Sequence, residues 1–259
     1  MRKLFFIILS LVIVSSSFAQ KQNKKEKRDQ NRKRIDALIK QEEEGVIAYK
    51  KHTIFGGKLI NNGYGAFMEI GRLQTVKKGM LYQLEISEYK STREEKQSNL
   101  FAYSTPFTFG KQNFFYPVKL GVQQQILFGN KSNKNGVSIT GNYGGGISVG
   151  LVRPYYVRLG ATNTYIKYES ADSAKFLDPS GISGGPGFSK GWSDLTINPG
   201  AYLKTALRFD YGSYNEIVSA LEVGISADYY SKKIPLVVHE TKRQFFFTGY
   251  VSILFGRRK

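Results

Sequence analysis

The stretch that decides the fold is Gln244 to Gly256, QFFFTGYVSILFG, followed only by Arg257, Arg258 and Lys259. Successive side chains of an extended chain point to opposite sides. Phe245, Phe247, Gly249, Val251, Ile253 and Phe255 therefore share one face, and Phe246, Thr248, Tyr250, Ser252, Leu254 and Gly256 share the other. One stripe is apolar and ends in aromatics; the other is smaller and mixed. The length suits a tilted membrane-spanning strand, which needs about 9–11 residues. An edge strand of a soluble sheet would alternate in the same way, so the rest of the chain has to arbitrate.

The same period of two recurs upstream, from about residue 46 to the end. A first strand, Lys50 to Ile60, sets Phe55 and Leu59 against His52 and Lys58, and Asn61-Asn62-Gly63 is a hairpin turn signal. The second, Tyr64 to Leu73, sets Tyr64, Ala66, Met68 and Ile70 against Gly65, Phe67, Glu69 and Gly71. The third, Met80 to Tyr89, sets Met80, Tyr82, Leu84 and Ile86 against Gln83, Glu85 and Ser87. After a polar loop (90–113), the fourth sets Phe114, Tyr116, Val118, Leu120, Val122 and Ile126 against Lys119, Gly121, Gln123 and Gln125. The fifth runs from Val137 to Tyr155, and a Gly/Ser/Pro-rich irregular stretch (160–195) follows it. The sixth sets Ile197, Ala201, Leu203, Leu207 and Phe209 against Tyr202, Lys204, Ala206 and Arg208; the seventh sets Ile217, Leu221, Val223, Ile225 and Tyr229 against Ala220, Glu222, Gly224, Ser226 and Asp228. That makes eight strands. Connections after the second, fourth and sixth are short. Those after the third and fifth are long, the one after the seventh is intermediate, and only the first hairpin breaks the rule.

The N-terminus reads as an export signal. Arg2 and Lys3 precede the apolar run Leu4 to Val14, and Ser17-Phe18-Ala19 places cleavage before Gln20. The expected mature chain is 20–259, with formal charge +16 once Arg2 and Lys3 are removed from the total of +18. Residues 20–45 form a basic tail, with eight basic and two acidic residues from Lys21 to Arg34, then a small helical stripe of Ile35, Leu38 and Ile39. Basic runs often bind nucleic acid, but export removes that partner. Anionic head groups, cell-wall acids or an acidic protein remain, beside a plain solvated spacer. The chain has no Cys, which excludes disulfides and thiolate chemistry. No stretch of the mature chain suits a transmembrane helix, so a membrane form must be a closed barrel.

In such a barrel the small and polar face lines the lumen. It would carry His52, Lys58, Glu69, Glu85, Lys119, Lys204, Arg208, Glu222 and Asp228. An eight-stranded lumen is filled by side chains, so opposite charges are expected to pair in a neutral plug, with Glu222 and Asp228 placed to reach Lys204 and Arg208. A general pore is not expected. Tyr64, Tyr116, Tyr155 and Tyr229 read as interfacial girdles. Lys190, Lys232, Lys233, Lys242 and Arg243, with Lys90 and Arg93, are candidate contacts for lipid head groups.

The strand count, the asymmetric connections and the closing strand Gln244 to Gly256 resemble the small OmpA-like and OmpX-like outer-membrane barrels of Gram-negative bacteria. The resemblance covers about Lys50 to Gly256 and rests on architecture rather than an internal motif. It implies an eight-stranded antiparallel up-and-down transmembrane barrel in the outer membrane, with the tail in the periplasm. Phe245, Phe247, Val251, Ile253 and Phe255 would carry the signal read by the barrel-assembly machinery, and outer-membrane lipid and lipopolysaccharide would be its neighbours.

Chemistry is thinly signalled. Gly187-Phe188-Ser189-Lys190-Gly191 fits G-x-S-x-G but lacks the strand and helix that a nucleophile elbow needs. His52 and His239 are the only histidines, and neither has a matched serine or a metal-ligand pattern. No catalytic, cofactor or metal site is expected. The expected role is structural or interactive within the envelope, through the tail and long loops, as a free barrel or a subunit of a larger complex. A lipid A-modifying enzyme is the first competing reading, and a soluble periplasmic lipid-binding barrel with its faces reversed is the second.

Overall fold

The computed structural model describes residues 29, 31–32, 51–75, 77–98, 105–131, 136–160, 164–169, 171–212, 216–238 and 240–259. The expected export signal (1–19), nearly all of the basic tail and His239 lie outside these residues. Thirteen strands follow in chain order: β1 (Lys51–Ile60), β2 (Gly63–Leu73), β3 (Lys78–Tyr89), β4 (Glu95–Gln97), β5 (Phe107–Phe109), β6 (Asn113–Gly129), β7 (Ser138–Pro154), β8 (Tyr156–Leu159), β9 (Tyr165–Lys167), β10 (Ile182–Gly184), β11 (Thr196–Asp210), β12 (Ile217–Ile234) and β13 (Arg243–Arg258). The eight long ones close into a barrel in the order β1-β13-β12-β11-β7-β6-β3-β2, every pair antiparallel. Closure removes the edges that an open sheet would leave unpaired.

The closing contact is in the register His52↔Arg258, Phe55↔Phe255 and Ile60↔Tyr250. Along β13, Phe245, Phe247, Val251, Ile253 and Phe255 are exposed, Phe247 at 62%, while Phe246, Thr248, Tyr250, Ser252 and Leu254 are buried. The other strands follow the same rule. Leu203 is 70% exposed beside Tyr202 at 4%, and Leu120 is exposed beside buried Lys119. Large apolar side chains face outward and charged ones inward, the reverse of a water-soluble protein.

The start of β1, the end of β13 and the strand ends that flank the short connections β2–β3, β6–β7 and β11–β12 lie at one end of the barrel, which we call the terminus end. The tight hairpin 61–62 and the strand ends that flank the long connections β3–β6, β7–β11 and β12–β13 lie at the loop end. The wall is uneven. β1 to β3 have 10 to 12 residues, whereas β6, β7, β11, β12 and β13 have 15 to 18. The taller wall rises by about five residues, or ~16 Å along the strand.

The loops are more ordered than their composition suggests. The polar loop 90–113 contains the β4–β5 hairpin, with Phe107 buried, and the irregular stretch 160–195 contributes β9 and β10 to a small sheet with β8 and a helical turn at Ser173–Phe176. Phe107, Tyr155, Val157, Phe176 and Ile182 pack as a second core above the barrel. Tyr155 corrects the girdle reading. It follows the end of β7, is 3% exposed, and accepts a 2.8 Å hydrogen bond from the Thr108 backbone N–H. The strand parity that would aim it at lipid stops at Pro154, where the chain turns into the loop layer. Tyr64 and Tyr229 do stand exposed near the loop end, and Tyr116 is half-buried against Trp192.

Candidate functional site: the barrel lumen

Four cations and four carboxylates occupy the middle of the lumen: Lys58, Lys119, Lys204 and Arg208 with Glu69, Glu85, Glu222 and Asp228. None exceeds 4% exposure, and their formal charges cancel. Arg208 Nη1 and Nη2 each lie 2.7 Å from an oxygen of Glu69, and Nε and Nη2 reach Glu222 Oε2 at 2.9 and 2.7 Å. One guanidinium therefore bridges β11 to β2 across the lumen and to β12 beside it, using the planar fork that only Arg supplies. Lys204 Nζ meets Glu222 Oε1 at 3.1 Å and Gln83 Oε1 at 2.9 Å. Lys58 pairs with Glu85. Lys119 Nζ lies 2.8 Å from Asp228 and from the Tyr89 hydroxyl, with Glu85 at 3.8 Å. Tyr89 and Tyr250 donate to Asp228 and Glu222 at 2.7 and 2.9 Å, and Asn142 donates to Glu222 at 3.1 Å.

Eight of the nine lumen residues named from the sequence are thus brought together, and the ninth, His52, lies beside Glu69 toward the terminus end. One pairing differs. Glu222 meets both Lys204 and Arg208, but Asp228 meets Lys119 of β6. Register explains this: Arg208 is directly opposite Glu222, whereas Asp228 faces Tyr202 and Lys204 faces Ser226. A buried charge without a partner costs several kcal/mol, so Asp228 is satisfied across the lumen instead of along the wall.

Two apolar layers flank the charges. Toward the terminus end, Ile54, Phe67, Val218, Ala220 and Leu254 cluster. Toward the loop end, Tyr89, Phe115, Tyr230 and Phe246 pack edge-on or tilted, with ring centroids 5.1 to 5.9 Å apart. The strand alternation already puts these four rings on the inward face, where the charged residues dominate the pattern and make the rings hard to see as a layer. A lid covers the rings: Lys111 bridges to Val237, Gln112 N–H donates to Leu236 O at 2.7 Å, and Val238 N–H donates to Gly110 O at 2.8 Å. Lys111 pairs with Glu94 at 2.7 Å, and burial pushes its ammonium below the ordinary lysine pKa despite that partner. A further buried cation, Arg153, lies between the Phe114 and Trp192 rings at 4.1 and 4.8 Å.

At the terminus end, His52 is buried with Nε2 3.4 Å from Glu69, and Asp210 is held by Arg258 and, at 3.2 Å, by Lys131. The basic candidates for head groups are spread over the loop side. Lys190 stands 4.8 Å from the Tyr165 ring centroid, Arg243 pairs with Glu240 at 2.5 Å, and Lys232, Lys233 and Lys242 are exposed. Gly187 to Gly191 forms a turn without a following helix. Among the described residues, no group of three or more His, Asp or Glu is arranged to hold a metal ion.

Closure, eight strands, one-sided long loops and inverted polarity define a small barrel of the outer-membrane type. Among solved structures, the chain is similar to the N-terminal barrel domain of Pseudomonas aeruginosa OprF, at 10% identity over 80% of this chain and 98% of that one, TM-score 0.37. It is similar to Neisserial surface protein A, at 10% identity over 81% and 96%, TM-score 0.36. It is also similar to Ail, the attachment invasion locus protein of Yersinia pestis, at 8% identity over 82% and 100%, TM-score 0.37. No family model matches the sequence, and no curated protein matches it. These likenesses concern the fold alone.

Proposed function

We propose that the protein is a non-enzymatic integral outer-membrane barrel with a structural or interaction role in the cell envelope, its loop end outside the cell and its termini in the periplasm. The observation that carries this reading is the lumen. It is filled by a neutral, mutually paired set of eight charges and capped by aromatic rings, which favours a scaffold over a conduit. The apolar outer wall supports residence in lipid, and short terminus-side turns with long opposite loops support the orientation. The export signal and basic tail read in the sequence fit the same address. Partners then meet the protein at its loop layer or through the periplasmic tail, and lipopolysaccharide is the expected neighbour of the loop-side cations.

His52, the only histidine among the described residues, is directed at Glu69 inside the barrel, a placement that favours a structural role over lipid A chemistry. The test is fractionation of expressing cells with gel mobility before and after boiling, followed by crosslinking from the loops. Recovery in the outer membrane, a mobility shift on boiling and unchanged lipid A mass in a deletion strain are expected. A soluble periplasmic protein without a shift contradicts the membrane reading, and altered lipid A contradicts the non-enzymatic one.

A further inference from the structure

We infer that the outward face of the closing seam β13–β1–β2 is a binding site for an anionic phospholipid of the periplasmic leaflet, an inference that rests on the membrane reading above. The seam carries an arrangement of charge that a β-ladder disfavours. Lys51 is directly opposite Arg72, and Thr53, two residues on, lies between Ile70 and Arg257. The neighbours His52 and Gly71 are buried inside the barrel, so Lys51, Arg72 and Arg257 point out of it, and all three are exposed. Like charges directly opposite destabilise an antiparallel pair. None of the three is ion-paired among the described residues, and Asp210 on the lumen side is already held by Arg258 and Lys131. An external anion placed between them removes the repulsion.

The wall above these cations has the order of a lipid. Thr53 comes first. Phe55 and Phe255 then face each other in register, each 59% exposed, and mark the interfacial level where aromatic rings sit. One further step up, Gly57 lies between Ala66 and Ile253, and a Cβ built on Gly57 would meet nothing within 4 Å. The wall there carries no side chain between Ala66 and Ile253, so its surface is bare backbone flanked by apolar groups. Cations, a hydroxyl, an aromatic pair and an uncovered apolar stretch at Gly57 succeed one another in the direction that phosphate, glycerol ester and acyl chain do. A free anion would gain only the first of these contacts, which is why the occupant is assigned to lipid. Three convergent cations at an anionic head group are worth on the order of 100-fold in affinity over a zwitterionic lipid.

The full-length protein, placed in nanodiscs of phosphatidylethanolamine and phosphatidylglycerol and released for native mass spectrometry, tests the site. Three further proteins run beside it: the seam triple Lys51→Gln, Arg72→Gln, Arg257→Gln; the single Arg72→Gln; and a loop-side triple Lys232→Gln, Lys233→Gln, Lys242→Gln. Each is first checked for a mobility shift on boiling. Wild type and the loop triple are expected to retain phosphatidylglycerol, the seam triple to bind it on the order of 100-fold more weakly, and the single variant about fivefold more weakly. If the seam triple does not fold, the single variant against the loop triple decides. Folded proteins that all retain the lipid equally overturn the site, as does an equal loss from the loop triple. A wild type without a mobility shift overturns the membrane reading instead.

Discussion

Arg208 and Glu69, 139 residues apart, meet across the lumen in a two-bond contact with both N–O distances at 2.7 Å. The same guanidinium holds Glu222 on the neighbouring strand, so one side chain ties β2, β11 and β12 together. Removing a single partner of a buried pair leaves an uncompensated charge, at a cost of about 3–5 kcal/mol. Arg208→Met is expected to lose that much in urea unfolding from lipid vesicles. Adding Glu69→Gln to it is expected to restore a substantial part, because the stranded carboxylate is then neutral, while Lys204 still serves Glu222. A double variant no more stable than the single would show that the pair is not what holds these strands.

The aromatic layer is expected to stabilise without being the barrier. Phe246 packs against Tyr89, Phe115 and Tyr230. Phe246→Ala should cost about 3–5 kcal/mol by leaving a cavity. The charged layer below remains closed, so planar bilayers containing the variant are expected to show no steady conductance steps, like wild type. Conductance appearing in Phe246→Ala would place the barrier in the rings.

Strand spacing in the wall depends on close backbone approach at Gly146. A Cβ there would fall on the Leu120 carbonyl oxygen and the Gly121 Cα, neither of which can turn aside as a side-chain tip could. Gly146→Ala is expected to cost about 1–3 kcal/mol, whereas Gly249→Ala, with nothing within 4 Å, should stay within ~0.5 kcal/mol of wild type. Equal urea midpoints for the two variants would contradict the register between β6 and β7.

The lid has a pH dependence of definite sign. Burial lowers the pKa of Lys111 in the closed lid below its free value of 10.5. The closed lid therefore binds that proton less readily than an open one, and closure strengthens as pH rises through the lowered value toward 10.5. Cleavage within 90–113 by an alkaline-tolerant protease, normalised to an unstructured peptide, should slow over that range. Faster normalised cleavage would contradict the assignment, and Lys111→Met should abolish the trend.

What was legible in the sequence was whatever a long, regular strand writes as alternation. The eight barrel strands, the outward stripe of Phe245 to Phe255 and the inward placement of Glu69, Lys204 and Glu222 all follow from a period of two over ten or more residues. The loop layer is not legible because its strands are three or four residues long, too short to show a period, and because the bridge that fastens it, Lys111 to Val237, joins residues far apart in the chain. The parity of β7, continued one residue past Pro154, points Tyr155 at lipid, but the strand has ended there and the chain has turned into the loop layer. The partner of Asp228 was hidden for a different reason: register, which sequence patterning leaves free along the wall, put Tyr202 beside it and left Lys119 to reach across.

The central claim, an apolar surface that faces lipid around a packed polar interior, is tested most directly at two adjacent positions of β11. The chain has no cysteine, so one introduced thiol gives a unique label. A nitroxide on Leu203→Cys in lipid vesicles is expected to collide readily with oxygen dissolved in the bilayer and to be shielded from a water-soluble nickel chelate. A label on Tyr202→Cys, directed into the lumen, is expected to be immobile and shielded from both. Free access of the chelate to position 203 would contradict the claim and turn the barrel inside out.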